Sequence, residues 1–195
     1  MPVTFTTKLA APSETSLDSS IEDEITISWT DNSSGEDGYR VYRSTDGANF
    51  SQLSELSVDV TSYTDNSLTD GKKYYYFIAA FTSSGESSGT SVSAVTILPR
   101  SEITSIDDSV GGELAVSWTK NDDSSNGSFE VERAPLVGRS WSTIATGLST
   151  GTTSYTDTTI NDATEYKYRI TRDTGHARVI SSDKPYRFFP RVDVV

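Results

Sequence analysis

The chain has 195 residues, with 28 acidic against 16 basic side chains for a formal charge of −12, a single histidine and no cysteine. Without cysteine there is no disulfide, no thiolate metal site and no thiol nucleophile, and the acidity argues against sequence-blind nucleic-acid binding, which needs clustered Lys and Arg. The 3 Trp, 10 Tyr and 7 Phe supply the bulk that disordered chains lack, so a folded protein is expected.

Residues 1–8, Met-Pro-Val-Thr-Phe-Thr-Thr-Lys, show no basic stretch leading into an apolar one, and are expected to be an N-terminal extension without a secretory signal. After them the apolar pattern has period two. Ile25, Ile27 and Trp29 alternate with Thr26 and Ser28, Tyr39 and Val41 with Arg40 and Tyr42, and Tyr74, Tyr76 and Ile78 with Tyr75 and Phe77. Each run reads as a strand with one buried and one wet face. Turn residues separate the runs, as at Asn32–Gly35, Asp46-Gly47, Asp70-Gly71 and Ser84-Gly85. The strands predicted are A 9–16, B 24–30, C 38–44, C′ 50–55, E 61–65, F 72–82 and G 89–98. The longest apolar runs, such as Tyr74–Phe81, are less than half of the roughly 20 residues that a membrane helix needs, so no membrane insertion is expected.

The second half repeats the first. Leu114-Ala-Val-Ser-Trp118 matches Ile25–Trp29, Phe129-Glu-Val-Glu-Arg133 matches Tyr39–Arg43, and Thr153-Ser-Tyr-Thr-Asp157 repeats Thr61–Asp65 unchanged. Four ordered matches at offsets of 89 to 92 residues, the fourth being Leu68…Tyr74 with Ile160…Tyr166, indicate two tandem copies of one domain. The second copy is expected to place strands at A 102–107, B 113–119, C 128–134, C′ 141–146, E 153–157, F 164–172 and G 177–188. The predicted core is Trp29, Tyr39, Val41, Tyr74, Tyr76 and Ile78, with Trp118, Phe129, Val131, Tyr166, Tyr168 and Ile170. No helical stripe competes with these strands, so the fold class is all-β, two tandem immunoglobulin-like β-sandwiches.

Each copy resembles a fibronectin type III domain. Trp29 and Trp118 stand where that family has its strand-B tryptophan, and Leu68…Tyr74 and Ile160…Tyr166 resemble its Leu-x5-Tyr element before strand F. Pro12 resembles the proline opening strand A, and Gly85–Ser88 the small-residue entry to strand G. The resemblance implies that Tyr74 and Tyr166 are tyrosine corners, with hydroxyls bonded to upstream backbone. It covers about residues 9–98 and 102–190. The domains expected are 9–99 and 100–190, with a C-terminal tail at 191–195.

A catalytic, cofactor or metal site is not expected. His176 is the one histidine, in a polar loop, and no serine sits in a nucleophile elbow. The paired carboxylates Glu22-Asp23-Glu24, Asp107-Asp108 and Asp122-Asp123 lie in turns and read as solvated charge. Asp122-Asp-Ser-Ser-Asn-Gly127 begins like a calcium loop, but Arg133 stands where the motif requires Glu. Two features could contact a partner: the F–G loop of the second copy, with Arg172, His176 and Arg178, and the apolar end that includes Phe188 and Phe189, which could add a strand to a neighbour's open edge.

These features predict a non-enzymatic structural or adhesion protein, most simply a virion component (tail, baseplate, fibre or decoration) of a tailed virus of bacteria or archaea. The alternative is an extracellular carbohydrate- or cell-surface-binding spacer of a larger enzyme or adhesin. Its partners would be other structural proteins or a second copy of itself, with a cell-surface glycan or protein as a further contact, and no nucleic acid. Acidity with Arg in excess of Lys would suit a salt-rich, halophilic setting.

Overall fold

A computed structural model describes residues 9–87, 89–108, 111–161 and 164–187. The expectations for residues 1–8, for Phe188 and Phe189, and for the tail at 191–195 fall outside these residues. The chain divides into two compact units, Met1–Ile97 and Leu98–Val195.

In the first unit the runs Ser13–Asp18 (β1), Ile25–Thr30 (β2), Gly38–Ser44 (β3), Ser51–Leu56 (β4), Ser62–Asp65 (β5) and Lys73–Thr82 (β6) are followed by two short strands, Gly85–Glu86 (β7) and Val92–Val95 (β8). They form two antiparallel sheets. One has the order β1-β2-β5; the other has the order β4-β3-β6-β7, with β8 also on β6. The period-two pattern sets the faces. Ile25, Ile27 and Trp29 of β2 and Tyr39 and Val41 of β3 point inward, meeting Tyr74, Tyr76 and Ile78 of β6 in one buried cluster. Each of these large side chains contributes roughly 1.5–3 kcal/mol through burial.

The second unit repeats the plan with Glu102–Asp107 (β9), Leu114–Thr119 (β10), Ser128–Pro135 (β11), Ser142–Leu148 (β12), Ser154–Asp157 (β13), Tyr166–Asp173 (β14), Arg178–Ile180 (β15) and Lys184–Tyr186 (β16). Its sheets have the orders β13-β10-β9 and β12-β11-β14-β15, with β16 also on β14. Trp118, Phe129, Val131, Tyr166, Tyr168 and Ile170 form its core. The protein is thus all-β among the described residues, two sandwiches in one chain.

The structure departs from the sequence expectation at two strands. β1 starts at Ser13 rather than at residue 9, because Pro12 is buried without an N–H to enter the ladder. Strand G is two pieces in each copy rather than one. Between β7 and β8, Ser87 donates its N–H to the Ala80 carbonyl (2.8 Å) while its hydroxyl accepts the Ala80 N–H (2.9 Å). Ser181 does the same with Ile170 at 2.8 and 2.9 Å between β15 and β16. A side-chain oxygen takes the place of a ladder carbonyl, and the edge strand jogs past it.

Successive strands run antiparallel, so the loops after β2, β4 and β6 of the first unit emerge at one end of its sandwich. The loops after β10, β12 and β14 do the same in the second. These loop ends carry the candidate site residues.

Candidate functional site

The basic F–G loop of the second unit does not form a cluster. Arg172 is fully buried and points inward from β14, opposite Phe129 of β11. This corrects its expected role as a contact residue. Its guanidinium lies over the Phe129 ring, 5.0 Å from the centroid. Nε and Nη2 donate to the two oxygens of Asp122, each at 3.1 Å. Nη2 also donates to the main-chain carbonyls of Ser124 at 3.1 Å and Asn126 at 2.8 Å, and Nη1 to those of Asp173 at 2.9 Å and Ser128 at 3.5 Å. The planar fork of donors is therefore largely satisfied, as a buried arginine requires.

This geometry also decides the segment that begins like a calcium loop. Its oxygens at Asp122, Ser124 and Asn126 converge on a cation, and the cation is Arg172. Lys120 adds a second positive group, donating to the Ser124 carbonyl at 2.7 Å. The expectation that Asp122 is solvated is corrected: the burial of Asp122 follows from pairing with Arg172. Gly127 closes the loop at φ 87°, where a Cβ would stand 1.8 Å from the Asp173 carbonyl oxygen, so only glycine fits.

His176 is exposed at the tip of the turn that follows β14. Thr174 builds that turn, its hydroxyl accepting the N–H of Ala177 at 3.1 Å and of His176 at 3.4 Å. Arg178 lies on the outward sheet face, paired with Glu130 at 2.7 Å and Asp173 at 3.4 Å. The three expected contact residues thus have three different environments: interior, loop tip and sheet face. A groove of about 380 Å³ in this unit is lined by Arg100, Asn121, Asp183 and Lys184 among others, and His176 is not one of them.

The outward faces of the large sheets balance their own charge. Arg169 makes a bidentate pair with Glu132 at 2.8 and 2.9 Å and stacks over Trp141 at 4.3 Å. The Arg169 hydrogen bonds lower the pKa of Glu132 against the opposing effect of its burial. In the first unit Arg40 bridges Glu55 and Glu86. Tyr42 stacks on Phe77 at 4.5 Å and donates its hydroxyl to Glu86.

Tyr74 is buried, and its hydroxyl accepts the Thr69 N–H at 3.1 Å; Tyr166 accepts the Asn161 N–H at 3.0 Å. Trp29 and Trp118 are buried beside Tyr39 and Phe129. A polar triad beside each core was not foreseen. Asp65 accepts from Tyr76 at 2.7 Å and from Arg43 at 3.0 Å. Asp157 accepts from Tyr168 at 2.9 Å and from Arg133 at 2.6 Å. Burial works to raise the pKa of Asp157, but hydrogen bonds from Thr159, Tyr168 and Arg133 outweigh it and hold it below the ordinary value. Burial, then the hydrogen bond to the carboxylate, pushes the Tyr76 and Tyr168 hydroxyls well above the usual phenol range. The signal lay in the repeat: Thr-Ser-Tyr-Thr-Asp recurs unchanged and delivers both aspartates.

The family model for the fibronectin type III domain matches residues 10–96. A two-domain fibronectin type III segment of chicken tenascin superposes with a TM-score of 0.74, at 19% identity, covering 91% of this chain and 98% of that one. The first unit is a fibronectin type III domain, and the second shares its fold. Other matches are partial. The fn3 domain of human collagen alpha-1(XX) gives a TM-score of 0.43 at 19% identity, over 50% of this chain and 94% of that one. A beta-1,2-glucanase from Parabacteroides distasonis gives 0.39 at 30% identity, over 46% of this chain and 13% of that one. No curated protein sequence matches. In these fibronectin type III terms Tyr74 and Tyr166 occupy the tyrosine-corner positions, and the loop wound about Arg172 is the B–C loop.

Proposed function

We propose that the chain is a non-catalytic structural module, a spacer with adhesive surfaces built into a larger assembly. The observation that carries this reading is the use of its buried charges. Asp65, Asp122, Asp157 and Arg172 each engage partners inside their own sandwich, where they brace loops and strand ends. A catalytic group needs the opposite, a perturbed side chain facing a cleft in reach of substrate. Fibronectin type III domains serve as structural, adhesion or spacer modules, and the charge-balanced sheet faces fit a spacer.

Two settings follow. In the virion of a tailed virus, the chain would hold fixed neighbours in the tail, baseplate, fibre or decoration, and touch a host-surface glycan or protein. As a spacer in an extracellular enzyme or adhesin it would bind glycan weakly or separate other domains. Imaging the particle or complex that contains the chain distinguishes them: density at fixed sites on a virus particle supports the first, and association with a secreted or surface-anchored protein supports the second. Turnover of any substrate by the wild-type chain that is lost in His176→Ala would overturn the non-catalytic reading.

A further inference from the structure

We propose that the outward face of the larger sheet in the first unit docks a second copy of this chain, through the aromatic side chains Tyr42, Phe50, Tyr75 and Phe77. All four are half-buried. Tyr42 of β3 stands opposite Phe77 of β6, and their rings stack at 4.5 Å. Phe50 meets Phe77 edge-on at 5.0 Å, and Tyr75 carries the Lys73 ammonium at 5.0 Å. The fold does not demand these rings. Across the internal repeat their places are taken by Glu132, Trp141, Lys167 and Arg169, while the pairing of the central strands is the same in both units. The Arg169–Glu132 pair thus does on one sheet what the Tyr42–Phe77 stack does on the other, and cross-strand pairs of either kind stabilise a sheet by similar amounts. A row of aromatics that the sheet does not require, on its outward face, points to a surface that a partner covers.

The charges around the rings select the partner. Aromatics and arginine with charged groups around them match the composition of a protein interface. The charged side chains of this face are Arg40, Lys73, Glu55 and Glu86, two of each sign, so the face is neutral on a chain whose formal charge is −12. Two copies repel across most of their surface, and a neutral face is where that repulsion is weakest. The face is also complementary to itself. Arg40 donates through Nε to Glu55 and through Nη1 to Glu86, and its Nη2 has no hydrogen-bond partner among the described residues. Glu55 accepts through Oε2 alone, and about half of its side chain is exposed. In an isologous contact each copy presents what the other lacks: Nη2 of one Arg40 meets Oε1 of the second copy's Glu55, beside the stacked rings. The second unit does not offer this. There Arg169 commits both Nε and Nη2 to the two oxygens of Glu132, a closed bidentate pair.

The test is sedimentation equilibrium of the full chain in about 0.15 M NaCl, which screens long-range repulsion. Concentrations run to about 0.5 mM, where a contact with a dissociation constant of order 10⁻⁴ M is mostly formed. The average mass of the wild type should rise with concentration toward twice that of the monomer. The double variant Tyr42→Glu, Phe77→Arg copies the Glu132–Arg169 pair of the second unit. It should keep its far-ultraviolet spectrum and cooperative thermal transition, and associate at least tenfold more weakly. Tyr75→Lys, which copies Lys167, is an independent second variant and should also weaken association. A wild type that stays monomeric throughout, or association unchanged in both variants, would overturn the proposal. So would a monomeric wild type that is retarded in gels containing a soluble neutral β-glucan, with the retardation lost in the double variant, because the face would then belong to a saccharide. None of these outcomes touches the spacer reading, which stands on the buried charges.

Discussion

Arg172 is the residue whose placement reorganises the reading of the second domain. Burying a guanidinium is tolerable only where a carboxylate and several carbonyls replace its water, and the B–C loop supplies both. Arg172→Met should therefore cost about 3–5 kcal/mol, because Asp122 would remain buried without its main partner. Replacing both, as Arg172→Met with Asp122→Leu, should recover most of that loss. Urea midpoints of the three proteins check this, and a single variant as stable as wild type would refute it. Asp157 gives a pH prediction. Its carboxyl binds a proton less readily in the fold than in the unfolded chain. Its contribution is complete above the ordinary aspartate pKa near 3.9, declines as pH falls below it, and is gone once pH passes the depressed folded value. The stability gap between wild type and Asp157→Asn should therefore close as pH drops from about 5 toward 2. A gap that stays constant in acid titrations would remove this role. Tyr74→Phe and Tyr166→Phe should each destabilise by about 1 kcal/mol, through loss of the hydroxyl that accepts the Thr69 or Asn161 N–H.

At the level of elements, the G strand is the place to test local bonding. Ser181→Ala leaves the Ile170 N–H without its hydroxyl acceptor inside the sheet, and Ser87→Ala does the same to Ala80. Each should cost roughly 1–3 kcal/mol, the penalty of an unsatisfied buried donor. Hydrogen exchange should show faster exchange at those two amides, and unchanged protection would reject the assignment. The same strand shows where sequence reasoning stops. Alternation at Ile25–Trp29 and Tyr74–Ile78 reveals buried strands because half of each side-chain row must be apolar. An edge strand interrupted by Ser87 or Ser181 leaves no such pattern, since a hydroxyl acting for a carbonyl looks like any surface serine. Arg172 was misread for a related reason. Its neighbours in sequence are polar, while the groups that neutralise it lie about fifty positions earlier, and only the β11–β14 register brings them together.

For the whole molecule, each unit has its own two sheets and its own buried cluster. Residues 9–97 should therefore fold when produced alone, with cooperative unfolding; a molten fragment without a thermal transition would count against independence. The formal charge of −12 makes long-range repulsion a general cost that salt relieves. Salt-rich adaptation would show as thermal stability still rising at molar NaCl, far beyond the point where simple screening saturates.

The guanidinium in the second B–C loop also has a consequence for occupancy. An ion delivered by a side chain has no dissociation constant with respect to the medium: dilution, dialysis and chelators do not reach it. The form of that loop end therefore does not depend on an ion drawn from the medium. Shortening the side chain at residue 172 would make that permanence conditional, so that the loop held its form only where the surroundings supplied a charge of the right sign.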